Sequence, residues 1–203
     1  MNIPTLAVTS ASLEGAERDA SAALGFWIYI LADCILFAAL FATFAVLRGN
    51  LAGGPAIGQV FHPPYVLAET LILLASSFTC GLGWLAVTAG HRSHGLRWFG
   101  ATWVLGLGFI SMEFHDFAGL VSSGRDWSRS GALSSYFTLV GTHGLHIVIG
   151  LLWLAVLMAR TWRQGVERPQ VRRFTHFAVF WHFLDIIWIF IFTIVYMVGL
   201  TQL

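Results

Sequence analysis

The chain has 203 residues, 57% of them hydrophobic and only 10% charged, with a formal net charge of +1. A soluble domain carries about 25% charged residues, so this composition excludes a water-soluble globular protein and describes a polytopic membrane protein. The near-neutral balance also excludes a basic nucleic-acid-binding domain.

In chain order, residues 1–23 are polar and acidic, with Glu14, Glu17 and Asp19. No basic region leads into a short apolar stretch and a small-residue cleavage site, so no signal peptide is visible and the first hydrophobic run is expected to be a retained helix. Five runs reach the roughly 20 residues that a hydrocarbon core demands, near 24–47, 66–88, 96–121, 133–159 and 174–200. Continuous apolar runs lack the alternation of a barrel strand, and only helices or closed barrels span lipid. The expected fold is all-α: a bundle of five transmembrane helices forming one membrane domain over 24–203, behind a cytoplasmic segment 1–23. Turn residues mark the connections, among them Gly53-Gly54-Pro55, Pro63-Pro64 and Ser122-Ser123-Gly124. Cys34 and Cys80 fall inside apolar runs and are expected to be small buried hydrophobes, not a disulfide or a zinc site.

Orientation follows from the cations, all eleven of which are arginine. With a cytoplasmic N-terminus, Arg18, Arg92, Arg97, Arg160, Arg163, Arg168, Arg172 and Arg173 lie inside, and Arg48, Arg125 and Arg129 lie outside. That bias obeys the positive-inside rule and puts the C-terminus on the periplasmic side. Trp27, Trp98, Trp127 and Trp162 lie near span ends and suit an interfacial belt, whereas Trp181 and Trp188 lie deeper.

The informative residues are ionisable groups inside these runs. At about 1.5 Å per helical residue, Asp33, His143, His146, His182 and Asp185 fall near the bilayer midplane. Glu69 and Glu113 fall nearer the outer surface, giving a second polar layer. A charged group at the centre costs roughly 2.5–3.5 kcal/mol on insertion scales, so each needs a partner or a task. His143 and His146 share one helix face, as do His182 and Asp185. Ligation of haem or another metal would need ligands from opposed helices, and His182 is the only opposed midplane candidate. Hydrogen bonding across helices is the plainer account, and proton transfer is a third. Asp33, nine residues into the first span, is the most expensive single group. Gly141 and Gly144 suit a close helix crossing. Arg125 and Arg129 outside, and Arg172 and Arg173 inside, suit lipid headgroups or simple topology signals. No phosphate-binding glycine loop, Cys-x-x-Cys, haem-attachment motif or water-accessible Ser/His/Asp set is present. No catalytic residue and no metal ligand is therefore assigned to this chain.

Three motifs stand in order: Phe26-Trp27-Ile28-Tyr29 with Asp33-Cys34-Ile35-Leu36-Phe37, Leu139-Val140-Gly141-Thr142-His143-Gly144-Leu145-His146, and Phe180-Trp181-His182-Phe183-Leu184-Asp185-Ile186-Ile187-Trp188. In sequence and spacing they resemble subunit III of the haem-copper terminal oxidases, over roughly residues 24–199. The form resembled most is the five-span subunit III of bacterial cytochrome bo-type ubiquinol oxidases. Asp33 stands where the cytochrome c oxidase branch typically has Glu, which supports the quinol branch.

The resemblance implies an accessory, non-redox chain of a proton-pumping, oxygen-reducing ubiquinol oxidase in a bacterial inner membrane. Haem and copper would reside in subunit I, with subunits II and IV as further partners. The family's subunit III packs beside subunit I and holds phospholipid in a cleft between its first two spans and the remaining bundle. Carried over, Asp33 matches the buried carboxyl near that cleft. His143, His146, His182 and Asp185 match the polar interior. Two alternatives remain: a subunit-III-like protein of a cytochrome c oxidase or nitric oxide reductase, and a stand-alone haem-binding membrane anchor.

Overall fold

A computed structural model describes residues 4–51, 63–164 and 168–197. Helices are the only regular elements among them: α1 (Pro4–Leu47), α2 (Pro63–Thr88), α3 (Arg92–Ser122), α4 (Gly131–Gln164) and α5 (Arg168–Ile191), which continues as a π-helical stretch, Phe192–Met197. Each contains a stretch long and apolar enough to cross a membrane: Ala20–Leu47, Pro64–Thr88, Arg92–Ser122, Gly131–Arg163 and Gln170–Met197. The chain is thus an all-α, five-span membrane protein. The helices overrun the runs expected from hydrophobicity at several ends, because backbone hydrogen bonding continues into the headgroup region where side chains turn polar. Pro63 and Pro64, expected in a connection, form the first turn of α2, where a missing N–H costs nothing. Gly53-Gly54-Pro55 and the end of the fifth run at residue 200 lie outside the described residues.

The chain divides into two compact units, Met1–Ala39 and Leu40–Leu203. The first is the leading part of α1, a helix of 44 residues and so about 66 Å long. Ile30, Asp33 and Phe37 are buried in it, whereas Leu24, Trp27, Ile28, Leu31 and Ile35 are exposed. Cys34, expected to be buried, is exposed. In a membrane protein the outer surface is as apolar as the interior, so an apolar run does not distinguish the two.

In the second unit α2 packs on α3, α3 on α4, α4 on α5 and α5 back on α2. The ring closes over Phe99, Phe109, Phe177, Trp181 and Trp188, all almost fully buried. Trp181 fits between two helices only because both are glycine at the contact. A Cβ on Gly106 of α3 would stand 3.1 Å from the indole, and one on Gly150 of α4 would stand 3.0 Å from it. Two turns fix the connections. Gly90 (φ 81°) ends α2 with bonds from its N–H to the Val87 carbonyl and from His91 N–H to the Ala86 carbonyl. Gly124 (φ 73°) ends α3 with the same pattern, onto Val121 and Leu120. Both are Schellman ends, which need a left-handed residue that glycine adopts without strain. Ser130 caps α4 by accepting the Leu133 N–H.

Candidate functional site: a polar interior on two levels

The seam between α2 and α5 carries a ladder of side-chain hydrogen bonds. Trp188 Nε1–H donates to Thr70 Oγ1 at 3.1 Å, and Trp181 Nε1–H donates to Ser76 Oγ at 2.8 Å. His182 Nδ1 meets Ser77 Oγ at 2.6 Å, and Trp84 Nε1–H donates to Thr175 Oγ1 at 3.0 Å. From Thr70–Trp188 at one end to Trp84–Thr175 at the other the partners run in opposite directions along the two helices, as antiparallel neighbours must. The rungs run from Thr70 to Trp84, about 21 Å of helix. Each indole N–H would otherwise be left unpaired, so the ladder fixes both the register and the rotation of α5 against α2.

Ser77 also reaches the carboxyl of Asp185. It therefore neighbours both His182 and Asp185, the two α5 residues that share a helix face. His182 itself is exposed on the outer side of α5, while Asp185 is buried. Sequence reasoning singled out this pair but not the serine. Its signal was the Ser76-Ser77 dipeptide in the middle of an apolar span, opposite Trp181-His182.

The two α4 histidines lead separate lives. His143 is fully buried, stacked on Trp188 at 5.3 Å and edge-on to Phe109 at 6.0 Å. His146 is half-buried, and its Nδ1–H donates to the Thr142 carbonyl of its own helix at 2.7 Å. Among the described residues no three His, Cys, Asp or Glu side chains gather into a group that could hold a metal. The donors present do not fit a haem either: His143 is flanked by the Trp188 and Phe109 rings, and the Nδ1 of His182 is engaged by Ser77. In the first unit, Tyr29 lies one turn before Asp33 and its hydroxyl bonds the Asp33 carboxyl.

A further group of ionisable side chains lies on α2 and α3 and, through Glu113, against α4. Glu69 and Glu113 are both buried, and they are electrostatically coupled to each other and to Asp116. Neither oxygen of Glu113, nor Oε1 of Glu69, has a hydrogen-bond partner among the described residues. The Glu113 carboxyl lies directly on Gly144, where a Cβ would come within 2.7 Å of Oε1 and 2.8 Å of Oε2. Gly141, the other glycine of the expected crossing, has ordinary spacing, with Phe117 3.6 Å from its would-be Cβ. Gly144 between two histidines is thus a seat for a carboxyl. Beside this layer the Tyr136 and Tyr196 hydroxyls pair at 3.1 Å, both rings buried.

The four arginines singled out as headgroup candidates lie at helix ends or in a connection. In the α3–α4 connection Arg129 Nε–H donates to the Gly124 carbonyl. Asp126 beside it accepts the Ser128 hydroxyl at 2.6 Å and the Ser128 N–H at 3.0 Å. Those bonds hold its carboxyl below the usual range. Arg125 follows Gly124 in that connection, donating its N–H to Leu120. Arg172 and Arg173 lie in the first turns of α5, with Arg172 close enough to His176 to act on its charge.

The helices and their interior define a multi-pass membrane protein with a buried polar core and no gathered metal-ligand set among the described residues. Comparison with known proteins places it further: the chain belongs to the cytochrome c oxidase subunit III family, whose model matches residues 9–200. It is 49% identical over 183 residues to a cytochrome bo(3) ubiquinol oxidase subunit 3 of Pseudomonas aeruginosa, covering 90% of this chain and 88% of that one. It is 39% identical to a quinol oxidase subunit 3 of Bacillus subtilis, covering 87% of each. To a cytochrome c oxidase subunit 3 of Bacillus sp. PS3 it is 36% identical, covering 97% of this chain and 93% of that one.

Proposed function

We propose that this chain is subunit III of a cytochrome bo(3)-type ubiquinol oxidase, a bacterial inner-membrane complex that oxidises ubiquinol and reduces oxygen to water. The observation that carries this reading is the pair of Pseudomonas relatives named as bo(3) ubiquinol oxidase subunits, which match at 49% and 47%. A third bo(3) relative matches at 38%, level with the 36% and 37% of two named as cytochrome c oxidase subunits. The chain serves as an accessory subunit that supports assembly, phospholipid retention and sustained turnover. Haem and copper belong to subunit I, with subunits II and IV as the other neighbours. The N-terminus and residues 1–23 face the cytoplasm, and one membrane domain follows.

Within that reading Asp33, His143, His146, His182 and Asp185 form the midplane polar layer, and Glu69 and Glu113 the outer one. Arg125, Arg129, Arg172 and Arg173 meet lipid headgroups at the two faces. Support comes from the hydrogen-bonded α2–α5 seam. Affinity purification of the complex from native membranes, with the co-purifying chains identified by mass spectrometry, tests the assignment. A haem-copper subunit I and a subunit II lacking copper ligands are expected, with ubiquinol and not cytochrome c as electron donor. A copper-binding subunit II and cytochrome c oxidation would move the chain to the other branch. Asp33 is the residue of this layer with a direct task in view, proton uptake by the complex. Asp33→Asn in an intact complex is expected to lower turnover or its durability, and unchanged kinetics would remove that task.

A further inference from the structure

An open cavity of about 810 Å³ lies where α2 ends, α3 begins and α4 ends. Its lining includes His91, Arg92, Leu96, Arg97 and Trp162, with no acidic residue. That volume falls within the ordinary range of small-molecule sites, roughly 300–1,000 Å³. The three helix ends are also three span ends, Thr88, Arg92 and Arg163, so the cavity opens at one membrane face. Neither Arg92 nor Arg97 has a carboxylate partner among the described residues. Arg92 Nη2 donates to the Trp162 main-chain carbonyl, which holds the half-buried guanidinium at the cavity wall with other donors free. The Trp162 ring is 75% exposed at the same place, and Leu96 adds apolar wall. His91, exposed at the start of α3, makes no side-chain bond to the first turn, so the leading N–H groups of α3 add their positive end to the arginines.

We propose that this cavity binds a phosphate group, with Arg92 and Arg97 on its oxygens. An anionic lipid headgroup and free inorganic phosphate share that chemistry. Guanidinium forks suit phosphate oxygens, and the apolar wall of Leu96 with the Trp162 ring suits the glycerol and acyl start of a lipid. The proposal rests on the span boundaries and the cavity, not on the oxidase assignment. The site is also distinct from Arg125, Arg129, Arg172 and Arg173.

The test uses the whole complex in lipid nanodiscs and reads Trp162 fluorescence as the difference between wild type and Trp162→Phe. Brominated phosphatidylglycerol and brominated phosphatidylcholine are the lipid probes, and inorganic phosphate is added separately. Stronger quenching by the anionic lipid is expected, and the preference should fall about fivefold for each arginine removed in Arg92→Gln and Arg97→Gln. Arg92→Lys with Arg97→Lys should keep most of the preference and shows that the region still folds. A Trp162 response to inorganic phosphate that is lost in the Gln variants, without lipid preference, supports the site and assigns it to the free anion. Equal quenching by both lipids with no phosphate response overturns the proposal. So does a preference that survives loss of both arginines.

Discussion

The α2–α5 seam and the carboxylate layer beside it share α2 but settle their buried polar groups in opposite ways. Along the seam, every indole N–H named above meets a hydroxyl from the facing helix, neutral against neutral. In the carboxylate layer, Glu113 presents two oxygens with no hydrogen-bond partner among the described residues, pressed against the backbone at Gly144. Seam residues hold two helices in register, and deleting one exposes its partner. The Glu113 carboxyl makes no hydrogen bond to the described residues, and burial of an unpartnered polar group is costly. The seam is therefore explained by folding. No such account by hydrogen bonding covers Glu113.

The largest test of this difference acts at the point of contact between carboxyl and backbone. A methyl group at Gly144 cannot be accommodated without moving the end of the Glu113 side chain, so Gly144→Ala is expected to destabilise the folded chain by about 1 kcal/mol, the low end of overpacking costs. Adding Glu113→Ala should recover most of that loss, because the space then exists. A double-mutant cycle measured by denaturation in mild detergent checks the coupling. Additive losses would mean that Gly144 is needed for the helix crossing itself and not for the carboxyl.

How far the sequence reveals this depends on which property set each feature. Five spans were legible because hydrocarbon demands long apolar helices, and helix count follows from that alone. Rotation was not. Asp33 and Cys34 are adjacent in one apolar run, yet one is buried and the other exposed, because lipid rewards an apolar surface on every face. Partnerships across helices were only half visible. His182 and Asp185 stood out as ionisable groups in lipid, but Ser77, which neighbours both, is cheap to bury and drew no attention. Gly144 was read as a crossing glycine when its missing side chain makes room for Glu113 on another helix. A single sequence does not pair residues so far apart in the chain.

The smallest expected effects sharpen the comparison most, because their signs differ. Ser76→Ala removes the acceptor of the Trp181 N–H in a fully buried site. Interhelical hydrogen bonds in membranes average about 0.6 kcal/mol, so a loss of about 0.6–1 kcal/mol is expected, with oxidase turnover unchanged once the complex is assembled. Glu113→Gln keeps the shape and breaks no hydrogen bond to the described residues, so stability should stay within about 0.5 kcal/mol of the parent or rise. Any functional defect should then appear without a stability defect, as lower turnover or shorter working life of the complex. Thermal denaturation read beside turnover separates the two columns. If Glu113→Gln unfolds the chain as readily as Ser76→Ala, the carboxyl is another structural rung, and the distinction between seam and layer fails.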